Sequence, residues 1–174
     1  MSFSGPIRCL LWALAILMTC SLVEKAHAAA PSMDAALKAT FGDWSLRCER
    51  TALSAGEQCV LVQSVASEDR PAFQMAVIVL RNPDGKFVLR VVVPLGIILP
   101  SGLGLKIDRV DIGRTGFVRC FAIGCMAEVM MDDGLIQSFS SGETALFVVF
   151  SSPDEGVGVP IRLSGFASGL LKVQ

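Results

Sequence analysis

The residues able to bind metal, move electrons or attack a substrate are few in this chain: six cysteines and one histidine among 174 residues. Their spacing narrows the chemistry. Cys120-Phe121-Ala122-Ile123-Gly124-Cys125 sets two thiols at the ends of a short loop, flanked by stretches that read as strands. Cross-strand neighbours lie about 4.5–5.5 Å apart at Cα, within disulfide range. Redox catalysis uses Cys-x-x-Cys, which neither this pair nor the wider Cys48 and Cys59 provides. A four-thiolate zinc site uses knuckle spacings of about two to four and is disfavoured by export to an oxidising compartment. Cysteine therefore reads as structural here.

Export is written in the first residues. Arg8 precedes an apolar run from Cys9 to Val23, and Ala26-His27-Ala28 forms an Ala-x-Ala site. That is the order of a secretory signal peptide, with residues 1–28 expected to be removed. The run falls short of the about 20 apolar residues that a membrane span wants, so no transmembrane segment is expected after cleavage. Thr19 before Cys20 argues against a lipoprotein signal. Cleavage would remove Cys9, Cys20 and His27, leaving Cys48, Cys59, Cys120 and Cys125. An even set in an exported domain reads as a disulfide framework. Local pairing, Cys48–Cys59 and Cys120–Cys125, is expected among the three connectivities, each contributing about 2–3 kcal/mol.

The remaining candidates lack partners. Asp132 and Asp133 are adjacent, so on a helix they point apart and suit a cap better than a shared substrate atom. Asp108 and Asp111 lack the Gly and Glu of a calcium loop and read as turn residues. Ser138, Ser140 and Ser141 have no histidine to activate them after cleavage, and no nucleophile elbow or Ser-x-x-Lys dyad occurs. Gly102-Leu103-Gly104 alone is a weak phosphate cradle. No catalytic residue, metal or cofactor is expected. A formal charge of −1 gives no footprint for nucleic acid. Ile97-Ile98-Leu99, fenced by Pro94 and Pro100, is the one segment where a partner surface competes with a loop folded over the core.

The elements that must hold these residues are short strands. Trp44, Leu46 and Cys48 alternate with Ser45, Arg47 and Glu49, and a second strand begins within Gln58 to Val65. Residues 73–80 and 87–93 read as a hairpin about the turn Asn82-Pro83-Asp84-Gly85. The first of these is apolar on both faces, which suggests a central strand. Leu103, Leu105 and Ile107 alternate again; residues 111–116 read as a turn before the Cys120–Cys125 hairpin. Asp132 to Ser140 is the best helix, followed by strands at 145–150 and 159–163 and a short helical turn within 165–173. Residues 29–40 read as a tail, and 41–174 as one domain. This is an all-β pattern, an antiparallel sandwich or barrel.

The ordered set resembles the invasion-associated locus B family of exported Gram-negative proteins. The resemblance runs from about Phe41 to Phe166. It rests on Phe41-Gly42-Asp43-Trp44 with Cys48, Cys59 with Gln63, and Pro94-Leu95-Gly96 through Leu99-Pro100-x-Gly102. Lys106-Ile107-Asp108, Cys120, Gly124-Cys125 and Gly165-Phe166 complete it. Arg109 stands where a Gly commonly follows the Asp, and the chain ends without the family's alanine-rich helical end. The resemblance implies an immunoglobulin-like β-sandwich in the periplasm or cell envelope, possessing no established catalytic residues. The expected role is non-enzymatic, through a surface that binds a protein or envelope component. A hydrolase of envelope polymers with a carboxylate pair, and a subunit of an envelope complex covering residues 95–99, are the alternatives.

Overall fold

A computed structural model describes residues 35–50, 56–68 and 72–174. The expected signal peptide at 1–28 and the first part of the expected tail lie outside the described residues, as do residues 51–55 and 69–71.

Strands follow one another through most of the chain: β1 (Ala36–Phe41), β2 (Trp44–Arg50), β3 (Glu57–Ala66), β4 (Gln74–Arg81) and β5 (Phe87–Val93). A 3₁₀ turn (Leu99–Ser101) leads into β6 (Leu103–Ile107), β7 (Val110–Thr115), β8 (Phe117–Phe121) and β9 (Gly124–Met130). Helix α1 (Asp133–Ser141), β10 (Thr144–Ser152), β11 (Glu155–Arg162) and helix α2 (Phe166–Leu170) complete it. Two antiparallel sheets result, of seven strands (β1-β2-β3-β4-β5-β9-β8) and four (β11-β10-β6-β7). This is the expected all-β sandwich. One core joins both sheets, with Trp44, Leu61, Val77 and Val91 from the larger and Phe147, Val149 and Ile161 from the smaller. The alternation seen in β2 delivers it: Trp44, Leu46 and Cys48 are buried between half-buried neighbours.

Two stretches depart from the sequence reading. The tail assigned to 29–40 gives way to β1, which pairs with β2 from Ala36↔Cys48 to Phe41↔Trp44. Its alanines have weak strand preference; the neighbouring strand supplies the ladder. The turn assigned to 111–116 is strand β7. The chain reverses earlier, at Asp108 and Arg109, both with positive φ (47° and 75°). That is a tight two-residue hairpin turn closing on Ile107↔Val110. The Asp108 carboxylate accepts from the Glu143 and Thr144 amides at 3.0 and 2.9 Å, tying the turn to the start of β10.

Helix α1 begins as its sequence suggests. Asp132 is the N-cap and accepts from the Leu135 amide at 2.8 Å, while Phe139 enters the core. Gly42 and Gly165, both at positive φ, let the β1–β2 turn meet the corner before α2: a Cβ on Gly165 would lie 2.1 Å from the Phe41 carbonyl oxygen.

Candidate functional site: an apolar outer sheet face

The four cysteines among the described residues are staples. Cys48 bonds to Cys59, and Cys120 to Cys125, each between directly opposed residues of an antiparallel pair. Cys48 and Cys59 are buried in the core; the other bond joins buried Cys125 to exposed Cys120 at the sheet edge. Glu57 lies close enough to the first pair to suggest metal ligands, but both sulfurs are consumed by the disulfide.

The carboxylates singled out by spacing have structural work. Asp132 caps α1 and Asp108 holds the β6–β7 turn. Glu128 pairs with Arg90 at 2.6 Å. Half-buried Glu57 pairs with exposed Lys38 at 2.8 Å, and the hydrogen bond from that ammonium holds its carboxyl below the usual range. Gln63 is buried; its Nε2 and the Trp44 Nε1 both donate to the Arg162 carbonyl, at 3.2 and 3.1 Å, joining β2 and β3 to β11.

The proline-fenced segment divides rather than forming one ridge. Ile97 packs against the core, and the Ile98 amide donates to the Phe150 carbonyl at 2.7 Å. Leu99 is exposed, as is Leu95 four residues earlier. Ile97, Ile98 and Leu99 therefore differ in burial: Ile97 and Ile98 are half-buried and Leu99 is exposed.

A larger apolar surface lies elsewhere. In the seven-stranded sheet the inward residues of β3, β4, β5 and β9 (Leu61, Val77, Val79, Leu89, Val91, Ala127) fill the core. The residues between them point out. Register places Val62 opposite Ile78, Leu80 opposite Val88, Ala76 opposite Val92, and Val92 opposite Met126. An outer face of a sandwich is ordinarily polar, in alternation with the core. Here its centre is Val, Ile, Leu, Ala and Met, interrupted by the Arg90–Glu128 pair and bordered by Ser45, Arg47 and Ser64. Val88 and Met126 are 7 % and 5 % exposed, yet neither belongs to the core cluster. No described helix lies over them: α1 and α2 bury Phe139, Phe166 and Leu170 in the core. The signal was present in the sequence, since Phe73 to Leu80 and Phe87 to Val93 are apolar on both faces. A central position in the sheet accounts for their edges being paired, but not for an apolar outer face.

Comparison with known proteins gives this framework its relatives. The pattern of the invasion associated locus B (IalB) protein family matches residues 44–174. An invasion protein B homolog from Brucella abortus (strain 2308) is 29% identical over 149 residues, covering 84% of each chain. A counterpart from Brucella abortus biovar 1 (strain 9-941) matches to the same extent, 29% over 149 residues. The crystal structure of invasion associated protein B from Bartonella henselae superimposes with a TM-score of 0.66 at 22% identity, covering 79% of this chain and 94% of that one. That likeness speaks for the fold. With the family pattern matched from Trp44 to Gln174, this chain belongs to the invasion associated locus B (IalB) family.

Proposed function

We propose that this chain is a non-enzymatic protein of the periplasm or cell envelope that works by holding a partner against the outer face of its seven-stranded sheet. The observation that carries the reading is the group of half-buried Val62, Ile78, Leu80 and Val92 on the outward side of β3, β4 and β5, around the Arg90–Glu128 pair and over which no described helix lies. Burying such a face yields about 25 cal/mol per Å² of apolar surface, so a covering partner is held by the same force that holds the core. The roles of Asp108, Asp132 and Glu128 in caps, turns and ion pairs support a structural use of the carboxylates over a hydrolytic one. The leader-like first residues and the disulfides support an exported protein. The relatives carry the word invasion in their names, and contact with a host surface is one setting in which a face of this kind would serve.

The test is cosedimentation of the purified protein with isolated bacterial envelopes. Binding is expected to saturate, and Val62→Thr/Ile78→Thr/Val92→Thr, which keeps strand-forming residues while adding hydroxyls, is expected to weaken it at least tenfold. Unsaturable binding, or equal binding by the folded variant, overturns the reading.

A further inference from the structure

A second apolar feature lies on the inner side of the sandwich, away from that face. Between the sheets, beside β7, is a cleft of about 240 Å³. Its floor is made by buried Leu89 and Val91 of β5, Leu103 of β6 and Phe147 of β10. Two small residues account for the space. Leu105 of β6 opposes Gly113 of β7, so an inward position of the smaller sheet carries no side chain. A Cβ added to Gly113 would meet nothing within 4 Å. On the larger sheet, Ala127 of β9 stands between Val91 and Phe117, and its methyl is all that it adds to the floor. Ile112 is the extra residue of a bulge between Asp111 and Gly113. Bulges re-aim side chains, and Ile112 is left at the rim, 40 % exposed.

The lining selects the kind of ligand. A cavity of about 150 Å³ with Leu, Ile and Phe walls stays dry and accepts benzene; this one is larger and similarly walled. It falls below about 300 Å³, where pockets begin to enclose a whole drug-sized molecule. No charge serves the interior. Arg114, the one charged residue of the lining, opposes Gly104, which in turn opposes Val148, on the outward side of the smaller sheet. There its guanidinium carbon lies 5.6 Å from the Phe150 ring centroid, and its Nη1 donates to the Ser101 carbonyl. Thr115, opposite Leu103, brings the only other polar side chain among the lining residues, an uncharged hydroxyl. Moving an unpaired ion into apolar walls costs more than a short tail gains. The part of a ligand that enters is therefore neutral hydrocarbon, narrow enough to pass Ile112.

We propose that this cleft binds the methyl end of an aliphatic chain, with the head group left in water beyond Ile112 and its charge of no consequence. A free single-chain amphiphile and a bilayer lipid share that chemistry.

Calorimetric titration of the purified protein with linear alkanols, from butanol to dodecanol, tests it. Binding is expected to saturate at one per chain. Affinity is expected to rise about fourfold with each added methylene, as burial of that group predicts, and to level off by decanol, when the cleft is full. Octanoate and octyltrimethylammonium, equal tails with opposite charges, are expected to bind within about threefold of each other, and Arg114→Gln is expected to leave octanol binding unchanged. Ala127→Leu, which fills the floor, and Ile112→Trp, which blocks the rim from an exposed position, are expected to abolish it, with thermal unfolding confirming the fold of each. Vesicles of phosphatidylcholine identify the source. Cosedimentation lost in Ile112→Trp marks the chain of a bilayer lipid, and octanol binding without cosedimentation marks a free chain. No saturable alkanol binding overturns the proposal, as does affinity that climbs through dodecanol without levelling. So does a larger preference for one charge, a loss on Arg114→Gln, or full binding by a folded Leu or Trp variant.

Discussion

Trp44 and Phe166 meet edge to face, their ring centroids 5.3 Å apart at 69°, and neither has measurable exposure. The contact joins the first core residue of β2 to the first residue of α2, and Phe139 of α1 packs on the same Phe166 ring at 5.2 Å. Three remote parts of the sequence thus converge on one ring. The Phe41-Gly42-Asp43-Trp44 and Gly165-Phe166 motifs, far apart in the chain, are two halves of this one corner.

Phe166→Ala is expected to cost about 3–5 kcal/mol, because the cavity opens where strands and both helices meet. Urea unfolding checks it, with a lower midpoint and an unchanged slope. A loss below about 1 kcal/mol would show that α2 contributes little to the fold.

Gly165→Ala tests the backbone contact at the same corner. Its φ is 86° and its added Cβ would lie 2.1 Å from the Phe41 carbonyl oxygen. Gly85 has a similar φ of 77° but open space around it. The left-handed conformation alone costs about 1–2 kcal/mol, which is the whole expected effect at Gly85→Ala. Gly165→Ala is expected to lose clearly more, read as the difference between the two unfolding midpoints.

Arg109→Gly is expected to raise stability by up to about 1 kcal/mol, since Arg109 is held at φ 75° in a tight turn that glycine enters without strain. Asp108→Ala in the same turn is expected to lose about 2–3 kcal/mol, as the Glu143 and Thr144 amides give up a charged acceptor. Thermal unfolding of the pair gives shifts of opposite sign.

Replacing each disulfide by two serines is expected to destabilise unequally. Chain-entropy arguments assign about 2 kcal/mol to the shorter Cys120–Cys125 loop and about 3 kcal/mol to Cys48–Cys59. The gap widens because Cys48 and Cys59 are both buried in the core, whereas Cys120 is exposed. Unfolding of the two double variants under identical buffer checks the order.

The legible parts of the fold were those with an uninterrupted period of two. β2, the β4–β5 hairpin, β6 and the two strands joined by Cys120 and Cys125 follow their alternation, and Asp132 marks the start of α1 as its side chain requires. β7 escaped because Asp111 and Gly113 resemble turn residues and the bulge at Ile112 breaks the alternation. Its true turn at Asp108-Arg109 has no glycine. β1 escaped because Ala36 to Phe41 takes its order from β2 rather than from its own preference. The apolar outer face was present as strands apolar on both sides, but which side a sheet leaves uncovered depends on the second layer, and no local pattern specifies that. The Ile97-Ile98-Leu99 segment is mixed for a related reason: Ile97 packs against the core, and that inward contact is invisible without the packing.

Photo-crosslinking on intact envelopes tests the central claim most directly. A benzophenone side chain placed at Ile78, on the outer face, is compared with one at Leu99, in the proline-fenced segment. The account predicts a discrete covalent adduct from position 78, suppressed by excess unlabelled protein, and none from position 99. An adduct from position 99 alone, or from neither, would contradict it.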